Sequence, residues 1–299
     1  MTASLPLSIG HQRDWAWRGW QIRYSFFRSA NSENAPMLML HGFGAALTQW
    51  RSNLLPLSEH HSVYAIDLLG FGASEKAAAT YNVALWVEQV YEFWQTFINR
   101  PIVLVGHSLG ALVALTAASQ HPDMVQGLAL MTLPAARQEL LSGRLQAIAG
   151  RLEGWMAQPF LIRPMFQMLR RPAILRSILK LAYANADRVT EELIESFTIP
   201  TLDRGAARVF ARLSQARTRS DFSLETRSLL PRVQVPILLM WGERDRVIPL
   251  TWGRQLVNLH TDLRLVEIPD AGHCVYDECS DRVNQELIDW VRDRNGVGG

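Results

Sequence analysis

PIVLVGHSLGALVAL, residues 101–115, decides the reading of the whole chain. An apolar run stops at Gly106, passes through His107-Ser108-Leu109-Gly110, and resumes as a second apolar run. The first run fits a strand buried on both faces of a parallel sheet, and the second a buried helix. Ser108 is then either a polar residue at an ordinary turn or a nucleophile presented by a sharp bend. A G-x-S-x-G pattern arises by chance in about one chain in ten of this length, so the flanking sequence has to decide.

Working outward, several segments read as strands: WQIRYSFFR (20–28), PMLML (36–40), HSVYAID (61–67), GLALMTL (127–133), PILLMWG (236–242) and LRLVEIP (264–270). Tyr81 to Ile98 places Val83, Trp86, Val87, Val90 and Trp94 at helical spacing. Short apolar runs alternating with helices predict an α/β fold with a sheet covered on both faces. The pattern breaks between about Pro134 and Leu230, where the chain turns helical and carries fifteen basic against nine acidic residues. Because strand pattern resumes at Pro236, residues 134–230 read as an insertion, with 1–133 and 231–299 forming the core.

Composition narrows the class. At 299 residues, 48% hydrophobic and 19% charged, the chain can bury a substantial core. A net charge of +2 leaves no global nucleic-acid footprint. Cys274 and Cys279 have no zinc-type spacing and read as reduced thiols of a cytoplasmic protein. No secretory signal is visible, and no apolar stretch approaches the ~20 residues of a membrane span. No cofactor or metal is expected.

A serine hydroxyl needs a base. Among eight histidines, His273 in PDAGHC follows the last predicted strand and so lies at the carboxyl edge of the sheet. His41 and His107 sit in glycine turns, where histidines orient loops. His60, His61, His121 and His260 lie beside polar loop residues, and His11 precedes the first predicted strand. Asp245 in WGERDRVIP follows the penultimate strand and can fix the histidine tautomer; its bland reading is a loop carboxylate paired with Arg244 or Arg246. The oxyanion donors expected are the backbone N–H of Leu109, next to the nucleophile, and that of Phe43 in HGFG (41–44). Asp67 and the glycines of DLLGFGAS read as turn formers.

The order Ser108, Asp245, His273, with HGFG upstream and each motif after a predicted strand, resembles the α/β-hydrolase superfamily over essentially the whole chain. The resemblance implies an eight-stranded, mostly parallel sheet flanked by helices, with 134–230 as a helical cap over the site. A narrower resemblance lies in WAWRGWQIRY (15–24), HGFGAALTQWRSN (41–53), VYAIDLLGFGASEK (63–76) and LRRPAILRSILKLAYANADRVTEELIE (169–195). These look like the chlorophyll dephytylase and pheophytinase-type hydrolases of oxygenic phototrophs. That resemblance implies cleavage of the phytyl ester of a chlorophyll-type pigment, releasing phytol, by a protein of the cytoplasm or of the periphery of the photosynthetic membrane.

The cap is compatible with a lipophilic ester as partner. Trp155, Met156, Phe160, Met165, Phe166 and Met168 offer either a pocket for an isoprenoid chain or the cap's own core. Arg163, Arg170, Arg171, Arg176 and Lys180 offer either peripheral membrane contact or a solvated helix face. An esterase or thioesterase for another lipophilic ester, a C–C hydrolase, a cofactor-free haloperoxidase and a hydrolase-fold ligand receptor are the competing readings. Ser108 itself argues against an aspartate nucleophile.

Overall fold

A computed structural model describes residues 9–30, 33–140 and 159–295, and in it eight strands form one sheet. They are β1 (His11–Trp17), β2 (Trp20–Phe27), β3 (Met37–Leu40), β4 (Val63–Ile66), β5 (Ile102–His107), β6 (Val125–Met131), β7 (Ile237–Gly242) and β8 (Leu263–Ile268). The spatial order is β1-β2-β4-β3-β5-β6-β7-β8. Only β2 runs antiparallel to its neighbours; β4, β3, β5, β6, β7 and β8 are parallel. His11 opens β1 rather than preceding the first strand. Of that edge strand only Trp17 is buried, so it has no apolar run to announce it.

Strand alternation divides the core into two layers. Met37 and Met39 of β3 and Val103 and Val105 of β5 pack with Trp50, Leu54 and Trp290 on one face. Leu38, Leu40 and Leu104 pack with Trp86, Phe93 and Leu112 on the other. All six residues of β5 are buried. In the helix Leu109–Gln120 every residue from Leu109 to Ala118 is buried, which suits a helix apolar on all sides. The helix Val83–Phe97 instead buries one stripe, and the Asn82 side chain caps it by accepting from the Leu85 N–H at 2.9 Å.

The order β4-β3-β5 makes a topological switch point, because the chain leaves β3 to one side and returns to β5 on the other. Crevices open there at the carboxyl edge of the sheet. The turns after β3 and β5 are pressed together. A Cβ on Gly110 would overlap the carbonyl oxygen of Leu40, and one on Gly106 would overlap the Gly110 carbonyl. Backbone meets backbone at both contacts, and no flexible side chain can give way.

Between β6 and β7 the described residues form helices and no strand: Arg137–Leu140, Pro159–Leu169, Pro172–Ala182, Glu191–Thr198, Ala206–Ala216 and Thr226–Leu229. This insertion is tied to the core through the Lys76–Asp203 ion pair at 3.0 Å and a bond from Arg212 to the Ala79 carbonyl at 2.9 Å. Trp155 and Met156 lie outside the described residues, as does the Phe160 side chain. Among the described residues no helix is long and apolar enough to cross a membrane.

Gly110→Ala should push the β3 turn away from the nucleophile turn. Overpacking of this kind costs about 1–3 kcal/mol or more, and urea unfolding should show the loss as a lowered midpoint. A midpoint equal to wild type would contradict the close contact.

Candidate active site

Ser108 stands between β5 and the helix Leu109–Gln120 with φ 51° and ψ −114°, in the left-handed region where a non-glycine residue is strained. It occupies the N-cap position, yet its hydroxyl makes no capping bond. Serine at an ordinary cap accepts from the first helical turn in an extended conformation. The backbone here is bent so that the side chain leaves the helix end. The Ser108 N–H donates to the Met131 carbonyl of β6 at 3.0 Å, anchoring the bend to the neighbouring strand.

His273 follows β8, and its Nδ1 donates to Oδ2 of Asp245 at 2.9 Å, with both side chains almost fully buried. Asp245 is held on its other side by the backbone N–H groups of Val247 and Ile248, which donate to Oδ1 at 2.7 and 2.8 Å. Arg244 pairs with Asp270, and the Asp245 side chain is buried, so it is not the surface carboxylate that a pair with Arg244 or Arg246 would make it. Donation from Nδ1 leaves Nε2 of His273 with the free lone pair, the tautomer a general base needs. The ring packs edge-on against that of His107, the residue before Ser108, with centroids 4.8 Å apart.

The turn after β3 completes the cluster. A Cβ on Gly42 would fall 3.5 Å from Cβ of Ser108, so the segment carrying Phe43 lies directly beside that serine. His41 shapes this turn: Nδ1 donates to the Gly42 carbonyl at 2.8 Å and Nε2 accepts from the Leu68 N–H at 3.0 Å. Burial lowers His41 to about 4. Asp67 accepts from the Leu47 and Ala73 N–H groups at 2.6 and 2.7 Å, and burial raises it to about 6. The two side chains approach to 4.0 Å without forming an ion pair, since the His41 Nε2 that faces Asp67 accepts from the Leu68 N–H and so carries no proton. His107 is likewise kept neutral by burial, and its Nε2 donates to the His273 carbonyl at 3.1 Å. Both glycine-turn histidines therefore act on backbone, as their positions predict.

Four further residues matter that sequence reasoning did not single out. Glu278 is buried, and its carboxylate accepts from Gly272 N–H at 2.7 Å, Ala184 N–H at 2.7 Å and Asn185 N–H at 3.1 Å. The His273 N–H donates to the carbonyl of Ala182 at 2.7 Å. Tyr183 donates to Asp277 at 2.6 Å, and Arg51 pairs with the same carboxylate oxygen at 2.6 Å. The strap 182–185 of the insertion is thus bonded to the loop that carries His273. Burial raises the Glu278 carboxyl, and its three backbone donors partly offset that. The available signal was the apolar context of Cys274-Val275-Tyr276, in which two adjacent acids stand out as needing partners.

Above the Phe43–Gly44 turn a cavity of about 320 Å³ runs between core and insertion. Its wall is largely apolar and includes Phe71, Phe166, Leu179, Val209, Phe210 and Leu213, with Lys76 and Arg170 as its cations. Of the aromatic and methionine side chains expected to line a pocket, Phe166 does so, its ring tilted against that of Phe210 with centroids 5.2 Å apart, whereas Met168 turns outward. Among the described residues no cluster of His, Cys, Asp and Glu is placed to hold a metal.

Residues 37–286 match the Alpha/beta hydrolase family. The chain belongs to that family. It is 25% identical over 281 residues to the "Uncharacterized hydrolase YugF" of Bacillus subtilis (strain 168), covering 92% of this chain and 95% of that one. It is 26% identical over 314 residues to "Pheophytinase, chloroplastic" of Arabidopsis thaliana, covering 91% of this chain but 64% of that longer protein. Among solved structures, a bacterial membrane phospholipase A described as a virulence factor superposes with a TM-score of 0.75 at 26% identity, covering 94% of this chain and 86% of that one.

Glu278→Gln replaces one acceptor oxygen with a donor facing backbone N–H groups. For this hydrolase, loss of a charged hydrogen bond predicts about a tenfold fall in kcat on a small soluble ester. Hydrogen exchange at 182–185 and 272–273 should rise together. Unchanged exchange at the histidine loop would show that the strap does not hold it.

Proposed function

We propose that this chain hydrolyses a lipophilic carboxylic ester through an acyl-enzyme on Ser108, and that its substrate is the phytyl ester of a chlorophyll-type pigment. The observation that carries the chemistry is the buried His273–Asp245 pair packed against His107, which precedes a strained serine whose hydroxyl does not cap its helix. The apolar cavity that begins at the Phe43 turn supports the lipophilic substrate. Its volume lies at the small end of the roughly 300–1,000 Å³ range of ligand pockets, which suits an extended chain better than a macrocycle. The similarity to pheophytinase and to a phospholipase favours esters with long apolar chains.

In the first half-reaction Oγ of Ser108 attacks the ester carbonyl while Nε2 of His273 takes the hydroxyl proton. Asp245 holds the ring and stabilises the imidazolium. The backbone N–H groups of Phe43 and Leu109 receive the oxyanion, and the Leu109 amide lies at the positive end of the helix it opens. The C–O bond to the alcohol breaks as His273 returns the proton to the leaving oxygen. Water then attacks the acyl-serine, giving its proton to His273, and collapse releases the acid and restores the serine.

Hydrolysis of chlorophyll a and pheophytin a in mild detergent, beside short and long p-nitrophenyl esters, tests both levels of the proposal. Wild type should release phytol, and Ser108→Ala should lose at least about 10⁴-fold of all ester turnover. Turnover of nitrophenyl esters alone would retain the serine mechanism and overturn the pigment. Turnover unchanged in Ser108→Ala would overturn the nucleophile.

Filling the cavity gives a separate check. Val209→Phe should cut kcat/KM for a long-chain nitrophenyl ester by about tenfold or more, the value of a few lost methylene contacts. The acetate ester should be hardly affected. Equal effects on both esters would place the chain elsewhere.

A further inference from the structure

The two cap helices Pro159–Leu169 and Pro172–Ala182 wall one side of the cavity through Phe166, Leu169, Leu175, Ile178 and Leu179. Residues 159–182 contain five cations and no aspartate or glutamate. Arg176 is committed to Glu191 of the next cap helix, and Arg170 faces the cavity. Arg163, Arg171 and Lys180 are exposed, and none of them makes an ion pair among the described residues.

Large exposed apolar side chains gather in the same region. Ile178 is 45% exposed although it also lines the cavity, and Met168 beside Leu169 is 48% exposed. Leu181, one helical turn beyond Ile178, is 55% exposed, and Leu202, following the wall residues Pro200 and Thr201, is 62% exposed. These are four of the seven large hydrophobic residues exposed among those described; the other three, Leu55, Leu224 and Val247, lie outside the stretch 159–202. The rim of the cavity is thus apolar; the flank formed by residues 159–182 is basic, whereas Asp187, Glu191, Glu192 and Glu195 are exposed on the side toward Leu202.

From this continuity we infer that the cap rim is a docking surface for an anionic lipid bilayer, and that docking sets the mouth of the cavity against the lipid. Apolar side chains from a basic helical surface enter the boundary between headgroups and acyl chains, while arginines and lysines meet the anionic headgroups. A protein partner of ordinary polarity would leave the leucine and methionine side chains without apolar contacts. The docking stands on the surface alone; passage of an ester from the bilayer into the cavity rests on the function proposed above.

Vesicle sedimentation of the full chain carrying Ser108→Ala separates the two, because binding is read without turnover. Vesicles of phosphatidylglycerol with phosphatidylcholine should bind it, and phosphatidylcholine alone should bind it far more weakly. The triple variant Arg163→Glu, Arg171→Glu, Lys180→Glu should weaken binding at least about 100-fold, since each basic residue near an anionic surface contributes severalfold. Met168→Asp with Leu181→Asp should weaken it as well. In an otherwise wild-type chain both sets should leave hydrolysis of a short soluble ester unchanged, which shows that the variants fold. Absent vesicle binding, binding unaltered by the charge reversals, or equal binding to zwitterionic vesicles would overturn the inference. So would a dimer in solution that the Met168→Asp, Leu181→Asp variant dissociates, because a second copy would then cover the rim.

Discussion

The contact of Gly110 with the Leu40 carbonyl is the constraint on which the site depends. It brings the first turn of the helix Leu109–Gln120 against the end of β3, and so sets the turn that follows β3 beside Ser108. A Cβ at Gly106 or Gly110 would overlap a backbone carbonyl oxygen, so backbone would have to shift at either contact. The strain at Ser108 is sustained because both sides of the bend are fixed. β5 is buried along its length, and the following helix is enclosed by apolar neighbours. Rigid elements on each flank let the backbone hold a conformation that a serine in a free loop would abandon.

Three histidines stand at this edge of the sheet, and hydrogen bonding separates their roles. His41 has both ring nitrogens engaged with backbone, one as donor and one as acceptor, so it has no lone pair to offer. His107 is buried and donates to the carbonyl of His273. Only His273 donates to a carboxylate, and that carboxylate is itself aligned by two peptide N–H groups. Burial opposes a proton on His41 and on His107. Of the three rings, the one paired with a carboxylate is the base in the mechanism proposed above.

Much of this was legible in the chain. The sheet was readable wherever strands are buried on both faces, as in MLML and IVLVGH, because burial removes polar residues and leaves an unbroken apolar run. β1 was not, since an edge strand exposing His11, Arg13, Asp14 and Ala16 has no such run. The serine, histidine and aspartate could be placed because each follows a strand and so falls at one edge. Glu278 and Tyr183 could not, because their partners lie 94 or more positions away or are backbone groups with no sequence identity. The cap methionines and aromatics were ambiguous for a physical reason. A helix that covers a cavity has one apolar face toward the ligand, and this one has a second toward the outside, so composition alone does not say which side Phe166 or Met168 takes.

The helix Pro172–Ala182 joins these observations. Its middle contributes Leu175, Ile178 and Leu179 to the cavity wall, and its C-terminal residue Ala182 accepts the N–H of His273. Tyr183 and Ala184, next in the chain, are bonded to Asp277 and Glu278 on the far side of the histidine loop. A chain lying in the cavity therefore touches the same rigid element that positions the base, about one helical turn from the contact. Binding energy from the unreactive part of a long substrate can in this way be realised as alignment at the reacting carbonyl, where it lowers the barrier instead of merely tightening the ground state. A short ester leaves the cavity empty and forgoes that contribution. The coupling is a property of the backbone path from Leu175 to His273, so under the function proposed above it would favour long chains whatever group lies on the other side of the ester bond.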